Sequence, residues 1–206
     1  MTTNKQPAAW WANAAGAGPG GSTPRNAAGG VGANAAPPHG ALAAAAAAPG
    51  QPVPLDLPEE AATVALGRAL GERLGAGDAV MLAGPLGAGK SVLARAAVRA
   101  YLDTPEAEVP SPSYTIVNVY EPAAAPALWH ADLYRLGDAS ELAELGLEEA
   151  FEDAVAIVEW PDRLDVLPQR RLEIALAADE AGEAPDRRCA TIRALGPWPR
   201  LVGAAP

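Results

Sequence analysis

The sequence is poor in lysine, cysteine and long apolar runs. Of its 15 basic residues only Lys5 and Lys90 are lysines, and all the others are arginines. The single cysteine, Cys189, excludes an internal disulfide and favours a reducing compartment. No run approaches the ~20 apolar residues that a membrane helix needs, and the N-terminal residues lack the pattern of a secretory signal. We therefore expect a cytoplasmic protein that makes no membrane contact.

Residues 1–55 differ from the rest of the chain. They consist mostly of Ala, Gly, Pro and Asn, with Lys5 and Arg25 as the only charged side chains. Such a segment has little apolar surface to offset the entropy of ordering, so we predict a disordered tail at 1–55 and one folded domain at 56–200. The net charge is −10, and without the two positive charges of the tail it is about −12. A domain this acidic should not hold nucleic acid by charge, so any RNA would be held by a partner.

The periodicity of the domain predicts a mixed α/β architecture. Apolar residues at helical spacing mark 58–74, and helix-favouring residues fill 91–102. Strands are expected at 79–84, 114–121, 127–134 and 154–160, a short helix at 138–146, and a final hairpin from 171–178 and 188–195. Strands joined by short loops must run antiparallel, so we predict a sandwich with a mixed central sheet and antiparallel C-terminal strands. Cys189 is expected to be buried on the last strand.

A glycine-rich loop lies between the strand at 79–84 and the helix at 91–102. Its sequence GPLGAGKS satisfies the P-loop pattern G-x-x-x-x-G-K-[ST] in the strand-to-helix context that the pattern requires. The loop comprises Gly84, Pro85, Leu86, Gly87, Ala88, Gly89, Lys90 and Ser91. Its glycines allow backbone amides to turn towards a phosphate, Lys90 would reach the β and γ phosphates, and the Ser91 hydroxyl would bind Mg²⁺. This motif predicts a P-loop NTPase three-layer sandwich.

Lys90 supports this interpretation because a glycine-rich surface turn would not need it. The chain uses arginine almost everywhere else, whereas a P-loop suits the slim ammonium of lysine. The expected number of chance matches to the pattern in this composition is about one in a thousand. Guanine-specific P-loop proteins usually carry an N-K-x-D loop, and no lysine follows Lys90. We therefore expect ATP as the nucleotide.

Two acidic residues end apolar strands, where a P-loop protein commonly places the group on the metal side. Asp132 ends ALWHAD and Glu159 ends AVAIVE. One could bind the metal and the other could orient water or accept a proton, but spacing alone does not divide these roles. The segment SPSYT supplies hydroxyls at 111, 113 and 115 that could sense the γ phosphate. The same sequence is also typical of a Pro-stiffened loop capped by serine, which is common. His130 has no second ligand at metal-binding spacing, so no metal site is expected there.

Four motifs occur together in the order of one family. The segments GPLGAGKS, SPSYTIVNVYE, HADLYRL and ELGLEEAFEDAVAIVEWPDRL resemble the TsaE family of bacterial ATPases, and the resemblance covers about residues 57–195. It implies an ATPase that joins the TsaB and TsaD proteins in making threonylcarbamoyladenosine on tRNA and resets their complex through ATP hydrolysis. The tRNA itself would be contacted only indirectly, through that complex.

The same resemblance implies roles for individual residues. Lys90 and Ser91 would bind phosphate and Mg²⁺, Glu159 would be a second Mg²⁺ ligand, and Asp132 would position the attacking water. Four further residues match functional or nucleotide-contacting positions, namely Ser113, Trp160, Thr63 and Arg187. The family often has threonine where this chain has Ser91 and Ser113, and serine preserves both hydroxyls. It often has an acidic residue at Pro85, where proline removes one backbone donor from the loop.

Two other functions are compatible with a P-loop. A small-molecule kinase uses the same loop to transfer the phosphoryl group to an acceptor. Kinases of this kind usually carry an arginine-rich lid, whereas the arginines here are scattered along the chain. The second alternative is a nucleotide-binding interaction module whose strand-end acids are structural.

Overall fold

The computed structural model describes residues 37–136, 145–178 and 186–202. Within these ranges the strands are β1 (Val53–Leu57), β2 (Ala79–Ala83), β3 (Val117–Tyr120), β4 (Leu128–Asp132), β5 (Val155–Glu159), β6 (Arg171–Ala178) and β7 (Arg188–Leu195). The helices are α1 (Pro38–Ala47), α2 (Glu60–Gly71), α3 (Lys90–Tyr101), α4 (Leu147–Asp153) and α5 (Pro199–Val202), with a 3₁₀ turn at Pro161–Arg163. None of the described helices is long and apolar enough to cross a membrane.

All seven strands form one mixed sheet in the order β1-β7-β6-β2-β5-β4-β3. The four central strands β6, β2, β5 and β4 are parallel to one another, whereas β3 pairs with β4 and β7 pairs with β6 and β1 in antiparallel register. The predicted mixed sheet and C-terminal hairpin are therefore confirmed. Because the central strands are parallel, the loop after β2 and the last residues of β4 and β5 lie together at the carboxyl ends of the strands. Open α/β sheets bind their ligands there.

Helices cover both faces of the sheet and make a three-layer arrangement. On one face, side chains of α1, α2, α3 and α5 join the sheet in the larger hydrophobic core. On the other face, a smaller core packs Met81 and Val158 of the sheet against Leu147 of α4 and the segment after the 3₁₀ turn. The five residues of β2 and of β5 are all buried, as expected for strands covered on both sides.

The prediction of a disordered tail through residue 55 was wrong for its last part. Pro38–Ala47 forms α1, and Val53–Leu57 forms the edge strand β1, paired with β7. Leu42 is fully buried with Ala41 and Ala45, in the same core as Trp198 and Leu201. Composition alone was misleading because small alanine side chains allow close helix packing, and this burial stabilises a helix that would be marginal in isolation. Residues 1–36 lie outside the described part of the chain.

Three smaller expectations were also tested by the structure or fall outside it. The strand expected at 114–121 is only Val117–Tyr120, because the N–H of Ile116 donates to the Pro112 carbonyl at 2.6 Å in a turn where Ile116 has φ 67°. Cys189 was expected to be buried but is exposed, because side chains alternate along β7 and the neighbouring Ala190 faces the core. Of the short helix predicted at 138–146, residues 138–144 are outside the described residues, and 145–146 form a turn just before α4.

Candidate nucleotide-binding site

The glycine-rich loop connects β2 to α3 at the carboxyl edge of the parallel strands. Gly84 has φ 137°, and a Cβ there would lie 2.2 Å from the Leu176 carbonyl oxygen. Gly89, with φ 100°, is the residue before the first turn of α3, and it supplies no side-chain cap to that turn. Both conformations favour glycine. The amides at the start of α3 are consequently presented without a side-chain acceptor from the cap, which is the arrangement that binds anions.

The ammonium of Lys90 is held inside the loop. Its Nζ donates to the carbonyl oxygens of Gly84 at 2.8 Å and Pro85 at 2.9 Å, and it lies 3.9 Å from the ring centroid of Trp160. Burial lowers the pKa of Lys90, and this outweighs the opposing effects of Glu159, Asp132 and Asp162, which raise it. The loop thus contains a buried cation whose nearest partners are neutral carbonyls and an aromatic face, so its charge remains available to an anionic ligand.

The two strand-end acids are neighbours across the sheet but have different partners. Asp132 and Glu159 are paired in register on β4 and β5, and both are buried. Glu159 Oε2 accepts a hydrogen bond from Ser91 Oγ at 2.8 Å, and Glu159 Oε1 lies 3.0 Å from His130 Nε2. The first contact joins the predicted metal-binding hydroxyl of the P-loop directly to one of the two carboxylates.

Asp132, at the end of β4, instead contacts the segment that precedes β3. Its Oδ2 accepts a hydrogen bond from Ser113 Oγ at 2.6 Å, and its Oδ1 accepts one from the backbone N–H of Tyr134 at 3.1 Å. Ser113 Oγ is also 2.8 Å from Ser111 Oγ. The geometry therefore separates the acids that the spacing left undivided: Glu159 is on the side of the P-loop serine, and Asp132 is on the side of the SPSYT segment.

A cavity of about 230 Å³ lies between the P-loop and the two acids. Its lining comprises Leu86, Gly87, Gly89, Lys90, Ser91, Val92, Asp132, Tyr134, Glu159 and Trp160. Trp160 has φ 60°, a left-handed conformation that non-glycine residues adopt rarely and that is common at functional sites. Its ring is 4.9 Å from that of Tyr134, so the two aromatic residues form one wall. Ala88 belongs to the loop but is buried and does not line this cavity.

A second recess of about 90 Å³ adjoins the loop on its other side. It is lined by Glu60, Thr63, Gly87, Gly89, Val92, Asp186 and Arg188. The predicted residue Thr63 is buried here, and a Cβ placed on Gly89 would be 3.7 Å from its Cγ2. The predicted Arg187 is not in this lining, because its guanidinium bonds both carboxylate oxygens of Asp56 at 3.1 Å. Its neighbour Arg188 donates to the Gly87 carbonyl at 3.3 Å.

Sequence reasoning missed Arg188 and His130. Arg188 begins β7 and Arg187 precedes it, so different partners could have been assigned to the two side chains only if the register of β7 with β1 had been known. His130 precedes Asp132 by two residues on β4, so both side chains point to the same face of the sheet. That spacing was the available signal for a histidine beside the acids.

A parallel central sheet, a glycine loop leading into α3, and a buried lysine at the start of that helix define a protein of the P-loop NTPase fold. A family model described as "Threonylcarbamoyl adenosine biosynthesis protein TsaE" matches residues 57–189. The chain belongs to this TsaE family of threonylcarbamoyladenosine biosynthesis proteins.

Individual relatives agree with this assignment. The chain is 42% identical over 144 residues to the tRNA threonylcarbamoyladenosine biosynthesis protein TsaE of Mycobacterium tuberculosis strain H37Rv, covering 66% of this chain and 83% of the relative. It is 36% identical over 134 residues to the protein of that name from Streptomyces coelicolor, covering 64% and 89%. The crystal structure of Bacillus subtilis YdiB matches with a TM-score of 0.57 at 27% identity, covering 71% of this chain and 87% of that one.

Proposed function

We propose that this protein is an ATP hydrolase that serves the threonylcarbamoyladenosine modification of tRNA by binding the TsaB and TsaD proteins and resetting their complex. The observation that carries the proposal is the convergence of four groups on one cavity: Lys90 and Ser91 of the P-loop, and Asp132 and Glu159 from the ends of adjacent strands. Each group has a distinct part in phosphoryl transfer to water.

The P-loop would bind the phosphates of ATP. The amides at the start of α3 and the Lys90 ammonium supply positive potential in a partly buried site, where electrostatic attraction is stronger than in open water. Lys90 Nζ would exchange its two neutral carbonyl acceptors for phosphate oxygens, which form stronger charge-assisted hydrogen bonds. The absence of a lysine after Lys90 supports ATP over GTP. The recess beside Thr63 and Arg188 is the adjoining space for the rest of the nucleotide.

Ser91 and Glu159 fit a magnesium site. Their oxygens lie 2.8 Å apart in the present hydrogen bond, and both are hard ligands of the type that Mg²⁺ prefers. Mg²⁺ is usually held by one or two such groups together with substrate phosphates and water. A bound Mg²⁺ would neutralise negative charge on the transferred phosphoryl group.

Asp132 would orient the attacking water and accept its proton. The carboxylate is buried on the cavity wall and is positioned by donors on both of its oxygens. The Tyr134 N–H belongs to the backbone and holds Asp132 in place, whereas the Ser113 hydroxyl comes from a separate loop segment and can exchange partners. Ser113 would therefore act as the switch between Asp132 and the γ phosphate.

The partner role is supported by the surface around the cavity. Leu86 of the P-loop and Tyr114 of the SPSYT segment are 77% and 82% exposed, so both side chains would be available for contact with a partner. The acidic net charge supports contact with tRNA only through TsaB and TsaD, and the single cysteine supports a cytoplasmic location.

The test is phosphate release from ATP, measured with the protein alone, with TsaB and TsaD, and with candidate small-molecule acceptors. We expect slow release alone, faster release with the two partners, and no dependence on an acceptor. Stoichiometric phosphorylation of an acceptor would identify a kinase instead. Nucleotide binding without hydrolysis under all three conditions would leave only an interaction module.

A further inference from the structure

His130 lies in the middle of the sheet beside the candidate metal ligand. It is on β4, only 1% of the residue is exposed, and its Nε2 is 3.0 Å from Glu159 Oε1. Its Nδ1 is buried and has no hydrogen-bond partner among the described residues. Burying a polar ring costs free energy unless its nitrogen atoms are hydrogen-bonded, so a buried histidine with one unpartnered nitrogen needs an explanation.

The surroundings select one tautomer of the ring. A carboxylate oxygen is an acceptor only, and Glu159 Oε2 already accepts from Ser91, so the nitrogen of His130 that faces Oε1 must carry the hydrogen. A hydrogen on Nδ1 would be a buried donor without an acceptor, and it would leave a lone pair of Nε2 directed at Glu159. His130 therefore donates through Nε2–H.

Both carboxylate oxygens of Glu159 consequently accept a hydrogen bond. Oε1 receives His130 Nε2–H and Oε2 receives the Ser91 hydroxyl, which fixes the carboxylate plane with Oε2 turned towards the P-loop. If the donor at Oε1 were lost, that oxygen would be buried without a partner, and the carboxylate could rotate to share the Ser91 donor. The orientation of Oε2 depends on His130 even though His130 does not line the cavity.

We propose that His130 is a positioning residue: its Nε2–H holds Glu159 so that Oε2 and Ser91 Oγ together receive a divalent cation with the nucleotide. This inference rests on the proposed function, in which Glu159 is a Mg²⁺ ligand. Groups that orient metal ligands from behind typically change metal affinity by about 10- to 100-fold when they are removed. The expected defect is therefore in metal-dependent nucleotide binding and not in binding of the nucleotide itself.

The test compares His130→Gln with His130→Asn. The amide nitrogen of glutamine extends about as far as histidine Nε2, whereas that of asparagine corresponds to Nδ1 and falls short of Glu159. Binding of a fluorescent ATP analogue is titrated with Mg²⁺ and, separately, measured in EDTA. We expect unchanged affinity in EDTA for both variants, a half-saturating Mg²⁺ concentration raised about 10- to 100-fold for His130→Asn, and near-normal Mg²⁺ dependence for His130→Gln. The matched control is His39→Asn, at the only other histidine, which is exposed on α1.

The outcomes separate the inference from the function on which it rests. The inference alone would be overturned if His130→Asn left the half-saturating Mg²⁺ concentration unchanged. It would also be overturned if both variants raised that concentration equally. If the unsubstituted protein shows no Mg²⁺ dependence, the proposed metal site is itself wrong. Because a buried substitution can also impair folding, the melting temperature of each variant is recorded. In the unsubstituted protein, ¹⁵N NMR of the imidazole shows independently which nitrogen of His130 carries the hydrogen. Finding the hydrogen on Nδ1 would contradict the proposed hydrogen bond.

Discussion

Shortening Leu42 to alanine should destabilise the whole domain if α1 belongs to its core. The Leu42 side chain is fully buried, and its helix packs against α2, β7 and α5. Leu→Ala substitutions in such positions cost about 2–5 kcal/mol. Because α1 packs on β7 and β1 at one end of the strand order, and the margin of a domain opens more readily than its central strands, we expect a loss near the lower end of that range, about 2–3 kcal/mol. For a domain of this size that corresponds to a melting temperature lower by about 4–12 °C.

The assay is urea and thermal denaturation followed by circular dichroism. The matched control is Leu86→Ala, which makes the same chemical change at a side chain that is 77% exposed and should shift the free energy of unfolding by less than about 0.5 kcal/mol. If Leu42→Ala unfolds like the unsubstituted protein, α1 contributes nothing to the core, as the composition of residues 1–55 first suggested.

Two further predictions concern the site. Burial lowers the pKa of Lys90 below its ordinary value, so as the pH rises towards that value the folded state releases its proton before the unfolded state and the free energy of unfolding increases. In alkaline solution, below the ordinary lysine pKa, the unsubstituted protein should therefore gain stability with rising pH relative to Lys90→Met, and parallel pH profiles of the two proteins would contradict this. Ser113→Ala removes the hydroxyl that donates to Asp132 at 2.6 Å and should slow ATP turnover with little change in nucleotide affinity. Ser113→Thr keeps the hydroxyl, so its turnover should remain close to normal. Equal turnover in the two variants would show that Ser113 is not the switch.

The elements around the site were predictable because their signals are local. The apolar runs of β2 and β5 and the pattern GPLGAGKS each fix a short segment, and the parallel sheet then brings Asp132 and Glu159 to the end of the loop. The division between the two acids was not predictable from spacing, because it depends on which hydroxyl reaches which carboxylate. The contacts of Ser91 with Glu159 and of Ser113 with Asp132 join residues that are 68 and 19 positions apart in the chain.

The N-terminal segment and the arginine pair show what local patterns cannot supply. The alanine run of α1 carries almost no signal of its own, and its stability comes from packing on β7 and α5, which follow it by some 140 residues or more. Arg187 and Arg188 are adjacent and chemically identical, so only the pairing of β7 with β1 determines that one bonds Asp56 and the other reaches the P-loop. In both cases long-range register decides the outcome.

The central claim is tested most directly by Asp132→Asn in the ATP hydrolysis assay with TsaB and TsaD present. Asparagine keeps the shape of the side chain and an acceptor for the Tyr134 N–H, but it removes the carboxylate that would take the proton of the attacking water. The account predicts that kcat falls about 10²- to 10⁴-fold while the affinity for ATP stays nearly the same. Unchanged turnover in Asp132→Asn would contradict the account.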